Sequence, residues 1–347
     1  MTTLASSPTD FPNNALNNQP ASEMIALMEL KNILKNNDLH VVFQPIVSLG
    51  DAEIIGYEAL SRGPQGSRLE YPDSLFATAT KFNLVWELEY LCRAKALEKA
   101  KDIIPSKMIF INVDPKIIND PRFQKGHTWE ILNKFCANAG NIIFEITEKT
   151  AIDDYQSFRR LLDNYTSQGY KIAIDDTGSG YSGLQTLAQT RPNFIKVDME
   201  LIRNIDQDNL KQAMLKALYD FSINTNSRII AEGIETENEM AALINIGIPY
   251  GQGYFLQRPA PGFPELPLPL KQTILKINNR KKREMYHTAI TMPIGEIAQP
   301  ETSFPSSTPG YTAVHHFNKF PEIHGLPIVD DGYPTGLLMK SKLLANL

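Results

Sequence analysis

Six acidic or amide side chains and one lysine follow short apolar runs along this chain. Ile54-Ile55 leads through Gly56-Tyr57 to Glu58. Phe110-Ile111 precedes Asn112, and Phe144 precedes Glu145. Ile174 precedes the adjacent pair Asp175-Asp176, Ile195 precedes Lys196, and Ile230-Ala231 precedes Glu232. One carboxylate after a strand is ordinarily the cap of the next helix. Five carboxylates, an amide oxygen and a lysine in the same place are too many for capping. Gathered at one mouth they would repel one another unless cations neutralised them. The donors are all oxygen, with no His or Cys, which suits Mg²⁺ or Mn²⁺ rather than zinc. Asp175 and Asp176 together could serve two ions, one bridging and one terminal. A metal pair about 3.5–4 Å apart activates a water and stabilises the leaving oxygen in displacement at phosphorus. Lys196 would hold the water or the transition-state charge. The residues alone read as a two-metal phosphoester hydrolase.

Such residues need a scaffold that brings strand ends together. Short apolar runs recur at Val41-Val42-Phe43, Ile54-Ile55, Met108 to Ile111, Ile142 to Phe144, Ile172 to Ile174, Phe194-Ile195 and Ile229-Ile230. Their length and β-branching suit strands buried on both faces. Helical patterns separate most of them: Glu87 to Ala100, Trp129 to Cys136, Tyr155 to Thr166 and Leu210 to Ile223. Ser22 is placed to cap a first helix with Ile25, Met28 and Leu30 on its apolar side. Strand–helix alternation points to a parallel barrel or a doubly wound sheet. In a barrel the C-terminal strand ends share one mouth.

Composition narrows the rest. The 347 residues carry 34 basic and 39 acidic side chains, a net charge of −5. That disfavours DNA, RNA or a membrane surface as partner. Cys92 and Cys136 read as small buried hydrophobes, and a reducing cytoplasmic compartment is expected. Residues 1–22 read as a disordered tail, and no apolar run approaches the ~20 residues of a membrane span. Prolines crowd Pro259 to Pro269, a domain edge. Residues 263–287 read as a Pro-rich linker and connecting helix, with Arg280 to Arg283 as a solvated face.

Ordered motifs then carry a resemblance. They are Phe43-Gln44-Pro45-Ile46-Val47, Gly56-Tyr57-Glu58-Ala59-Leu60-Ser61-Arg62-Gly63-Pro64, Phe110-Ile111-Asn112-Val113 and Phe144-Glu145-Ile146-Thr147-Glu148. Asp175-Asp176-Thr177-Gly178-Ser179-Gly180-Tyr181-Ser182, Ile195-Lys196-Val197-Asp198, Ala231-Glu232-Gly233-Ile234-Glu235-Thr236 and Gly251-Gln252-Gly253-Tyr254 follow. This series resembles the EAL domains, bacterial phosphodiesterases that hydrolyse cyclic di-GMP to linear pGpG. The resemblance implies a modified TIM (β/α)₈ barrel over residues 23–262 with one antiparallel strand, the first. It implies two ions, Mg²⁺ or Mn²⁺: Glu58, Asn112, Glu145 and Asp175 for one, and Asp175, Asp176 and Glu232 for the other. Lys196, Glu232 and Glu58 would carry the chemistry. Gln44 and Arg62 would contact the dinucleotide, Glu235 and Gln252 would complete the site through waters, and Glu148 would brace the loop after Asp176. A homodimer is implied. Thr177 and Gly183 depart from the Phe and Ser common there, which bears on rate and regulation rather than on the ligands. Asp198 reads as a buried, hydrogen-bonded framework carboxylate rather than a ligand. An alternative reading is a weak or inactive cyclic di-GMP receptor.

Residues 288–347 resemble a single CBS repeat, a small α+β segment. Leu326-Pro327-Ile328-Val329-Asp330-Asp331-Gly332 is followed by Tyr333-Pro334-Thr335-Gly336-Leu337-Leu338-Met339, and Ser341 is placed to cap a last short helix. Paired repeats of this kind can hold an adenine nucleotide, and a second chain could supply the other repeat.

Overall fold

β-branched and aromatic runs become strands because their side chains pack well on a pleated surface. The computed structural model describes residues 21–120, 122, 138–147, 155–177, 183–291 and 302–344. Strands β1 (His40–Ser48), β2 (Ile54–Arg62), β3 (Met108–Asn112), β4 (Ile142–Thr147), β5 (Lys171–Thr177), β6 (Phe194–Val197), β7 (Arg228–Ala231) and β8 (Tyr250–Gly251) close into one barrel. β1 runs antiparallel to both β2 and β8, and the other pairings are parallel. Closure decides between the two architectures left open by the alternation. Each apolar run of the sequence lies in a strand. β8 escaped notice because a two-residue strand has no periodicity to read.

Alternation along the strands builds two layers inside the barrel. Ile46, Phe110, Ile143, Ala173, Phe194 and Ile230 form one buried cluster. Two residues further along each parallel strand stand Asn112, Glu145, Asp175, Lys196 and Glu232. On antiparallel β1 the step reverses, so Gln44 rather than Ser48 comes level with Glu58, its register partner. The apolar layer is therefore a floor beneath a polar ring.

Helices α1 (Ala21–Asn36), α2 (Pro72–Lys81), α3 (Val85–Ala100), α4 (Tyr155–Thr166), α5 (Gly183–Thr190), α6 (Met199–Ile202), α7 (Asn209–Asn224) and α8 (Glu237–Ile246) alternate with the strands. The expected helix at Trp129–Cys136 lies outside the described residues. The reading of α1 is corrected in two ways. Ser22 sits inside the helix, not ahead of it. Of the apolar positions named, Leu30 is buried, together with Leu27 and Ile33, while Ile25 and Met28 are exposed. An apolar side chain in an isolated first helix does not reveal which stripe meets the core. Cys92 is buried, and burial pushes its thiol up to about 12, as suits an inert small hydrophobe. Trp86 packs at the edge of the core, whereas Tyr90 is exposed.

The described residues divide into two compact units, one up to Lys281 and the other from Lys282 onward. The division falls within helix α9 (Leu268–Thr291). In the first unit, Ile274 is fully buried and Asn278 Nδ2 donates to Leu49 O at 2.7 Å. Lys281 Nζ donates to Ile244 O at 2.7 Å, so this member of the basic run is engaged rather than purely solvated. In the second unit, α10 (Gly310–Lys319), β9 (Gly325–Asp330), β10 (Tyr333–Met339) and α11 (Lys340–Leu344) gather on Ala313, Phe317 and Leu326. Asp331 and Gly332 both adopt positive φ, 52° and 80°, the pattern of a tight hairpin turn. Ser341 lies inside α11, not before it. Among the described residues no helix is long and apolar enough to cross a membrane.

One ion pair is buried against the barrel's outer wall. Arg93 lies 3.5 Å from Glu89 one turn away on α3, and its guanidinium stands 5.1 Å from the Phe144 ring centroid. Burial raises the Glu89 carboxyl from 4.5 to about 7. The folded chain therefore holds a proton that the unfolded chain releases. Stability from that proton is complete below about pH 4.5 and is lost as pH rises through about 7. Glu89→Gln should flatten this fall, measured as the difference in urea midpoint between about pH 5 and pH 8. Phe110→Ala empties part of the barrel floor and should cost about 3–5 kcal/mol in chemical denaturation.

Candidate active site

Lys196 is the hub of the mouth. Only 1% exposed, its Nζ lies 2.6 Å from Glu232, 2.8 Å from Glu145, 3.2 Å from Asp175 and 3.6 Å from Glu58. Burial works against its charge, but the four carboxylates outweigh burial and hold its pKa well above the ordinary lysine value. Glu58 is further bound by neutral donors. Asn112 Nδ2 donates to its Oε1 at 2.9 Å and Gln252 Nε2 to its Oε2 at 2.6 Å. Burial alone would raise the Glu58 pKa; Lys196 and these donors bring it below the usual range. Burial and the Glu58 charge push Glu145 well up. Burial likewise lifts Glu232 to about 8, against the pull of Lys196.

A break in strand regularity supplies the second half of the site. Neighbouring strand residues point to opposite faces. The β5–β6 register shifts between Ile174 and Thr177, and Asp176 has φ 57°. This irregularity brings Asp175 and Asp176 to the same mouth. Oxygens of Asp175, Asp176 and Glu232 all lie within 4.8 Å of one another. Burial, then Asp175 and Asp198, lift Asp176 to about 6. Three carboxylate oxygens this close, with one lysine shared among the ring, suit a hard divalent cation.

Gln44, Gln252 and Glu58 form one chain: Gln252 Nε2 also donates to Gln44 Oε1 at 2.9 Å, and Gln44 Nε2 donates to Gln257 O at 3.1 Å. Two expected residues stand apart from the ring. Arg62 donates to Ser61 O at 2.8 Å, and Glu235 forms an ion pair with Arg203, one of whose contacts is 2.7 Å. Glu148, Tyr181 and Cys136 lie outside the described residues. Thr177 is buried at the end of β5, and its carbonyl accepts from Asp198 N at 3.1 Å; Gly183 opens α5.

Asp198 does more than frame the fold. Its carboxylate caps α6 through Glu200 N at 2.6 Å and also hydrogen-bonds Asp176. The signal was its spacing, two residues beyond Lys196. Glu239 was missed: its Oε2 accepts the amides of Glu235 and Thr236 at 2.9 and 3.0 Å, while its Oε1 accepts from Asn204 N at 2.9 Å. It ties the turn after β7 to the turn after α6. Thr236 with Glu239 three residues on is a readable capping box.

The fold and this ring together define a class. Residues 27–259 match the EAL domain family, and the chain belongs to it. The cyclic di-GMP phosphodiesterase PdeF of Escherichia coli is 29% identical over 247 residues, 69% of this chain and 32% of PdeF. This chain spans less than half the length of the first curated relatives it matches. A standalone EAL protein of Vibrio cholerae in its c-di-GMP-bound form is 34% identical, with a TM-score of 0.59, over 68% of this chain and 98% of that one. Klebsiella pneumoniae BlrP1, in a manganese and cyclic di-GMP complex, is 29% identical, with a TM-score of 0.62, over 66% of this chain and 58% of that one.

Lys196→Met would leave several buried carboxylates without their counter-charge. It should destabilise the metal-free protein by about 3–5 kcal/mol in urea titration.

Proposed function

We propose that this chain hydrolyses cyclic di-GMP to linear pGpG with two bound divalent ions, Mg²⁺ or Mn²⁺. The observation that carries this is the cluster of Asp175, Asp176 and Glu232 beside Lys196, on a barrel of the EAL family. The relatives' names add support: PdeF is a cyclic di-GMP phosphodiesterase, and the BlrP1 complex holds manganese with the dinucleotide. Glu58, Asn112, Glu145 and Asp175 would hold one ion, and Asp175, Asp176 and Glu232 the other. The ions would supply an activated water and charge stabilisation at the leaving oxygen.

The chain's own residues do the positioning. Lys196 keeps its proton at Nζ and fixes Glu145 and Glu232 in direction. Gln252 holds Glu58 from one side and Asn112 from the other. Arg62, at the end of β2, offers a guanidinium fork to a phosphate oxygen of the dinucleotide. Gln44 lines the same mouth. Glu235, and Gln252 beyond its direct bond to Glu58, act through waters, and Glu148 braces the loop after Asp176. The protein works as a homodimer. Residues 288–347 form a CBS-like repeat, supported by the helix–hairpin–helix order and by Phe304 bridging Ile328 in parallel; an adenine nucleotide is its proposed ligand.

Incubation with cyclic di-GMP and Mn²⁺ or Mg²⁺, with and without adenine nucleotides, tests the reading by chromatography of pGpG. Wild type should turn over; Glu58→Ala and Glu232→Ala should each fall to background. Folded, metal-loaded protein that binds the dinucleotide and yields no pGpG would instead be a receptor.

A further inference from the structure

Behind the ring, a buried carboxylate makes a contact that helix packing does not require. Glu89 on α3 accepts the backbone N–H of Asp114 at 2.9 Å. Asp114 belongs to the turn that follows β3, two residues beyond Asn112. Val113 N, between them, donates to Glu145 O at 2.9 Å. Ile117 N donates to Asp114 O at 3.1 Å, starting the short helical turn Pro115–Asn119. The turn is thus held by β4 on one side and by Glu89 on the other. Its burden is Asn112, which is exposed yet must keep Nδ2 within 2.9 Å of Glu58 Oε1. Glu89 is itself immobilised: it is 2% exposed, paired with Arg93, and Arg93 rests on Phe144, the neighbour of Glu145 in β4.

We infer that Glu89 is a positioning residue for the ion-binding ring, acting through the Asp114 amide to fix the turn that presents Asn112 to Glu58. The inference rests on reading the mouth as a cation site. Outer contacts of this kind commonly govern metal affinity about 10–100-fold.

Leucine at position 89 alone would strand the Arg93 charge, so the pair is replaced as a unit. Glu89→Leu/Arg93→Met removes the acceptor, whereas Glu89→Gln/Arg93→Met keeps an amide oxygen for Asp114 N. Mn²⁺ is titrated into each full chain and followed by electron paramagnetic resonance of the free ion. Half-saturation should rise about tenfold in the leucine pair and stay near wild type in the glutamine pair. Equal half-saturation in the two variants, at matched thermal midpoints, would overturn the inference. Hydrogen exchange at Asp114 N and Asn112 Nδ2, read by NMR without metal, should quicken only in the leucine pair. A wild type that binds no Mn²⁺ would sink the proposed function, and the exchange comparison would still decide the role of Glu89: unchanged exchange refutes it.

Discussion

A single ammonium group surrounded by four carboxylates is the constraint on which the mouth of this barrel depends. Lys196 is almost wholly buried, and so are Glu58 and Glu145. Charges in such a place are costly unless each meets a partner. One lysine cannot satisfy all of them. Glu58 is held down by Lys196, Asn112 and Gln252, while Glu145, Glu232 and Asp176 are pushed up. Asp175, Asp176 and Glu232 bring oxygens within 4.8 Å of one another, with Lys196 reaching Asp175 and Glu232.

The remaining architecture serves that ring. The apolar floor of Ile46, Phe110, Ile143, Ala173, Phe194 and Ile230 closes the barrel beneath it and keeps the surroundings of low polarity. Reversal of β1 places Gln44 next to Gln252, and the glutamines join the far side of the ring to Glu58. Around the rim, backbone amides are held by buried carboxylates from outside the barrel: Asp114 by Glu89, and Glu235 and Thr236 by Glu239. These acceptors act beside apolar packing of the same turns, in which Val113, Ile117 and Ile234 are buried.

Much of this was legible before any coordinates. The seven apolar runs were strands, and the polar residues that ended them did meet. Period-two alternation, carried two residues past the floor residues of β3 to β7, reaches Asn112, Glu145, Asp175, Lys196 and Glu232. Where reading failed, the cause was physical. Helix α1 buries Leu27, Leu30 and Ile33 instead of Ile25 and Met28, since a stripe is chosen by the surface it meets. β8 was too short to show a pattern, so Gln252 came only from the family resemblance. Glu239 was hidden because a carboxylate that caps a helix looks the same in sequence whatever its second contact.

The amino-acid sequence by itself determined the alternation of strand and helix, the apolar floor and the identity of the groups above it. These follow from side-chain chemistry and from the two-residue repeat of an extended chain, both local properties. Local patterning left open the direction of β1 and the closure of the sheet; the family resemblance implied both, and the tertiary structure has them. Tertiary structure decided that Asp175 and Asp176 share one mouth. Adjacent residues of a regular strand would face apart; only the register shift against β6 and the left-handed backbone of Asp176 turn them together. That geometry depends on a neighbouring strand nearly twenty residues away, and no local pattern encodes it.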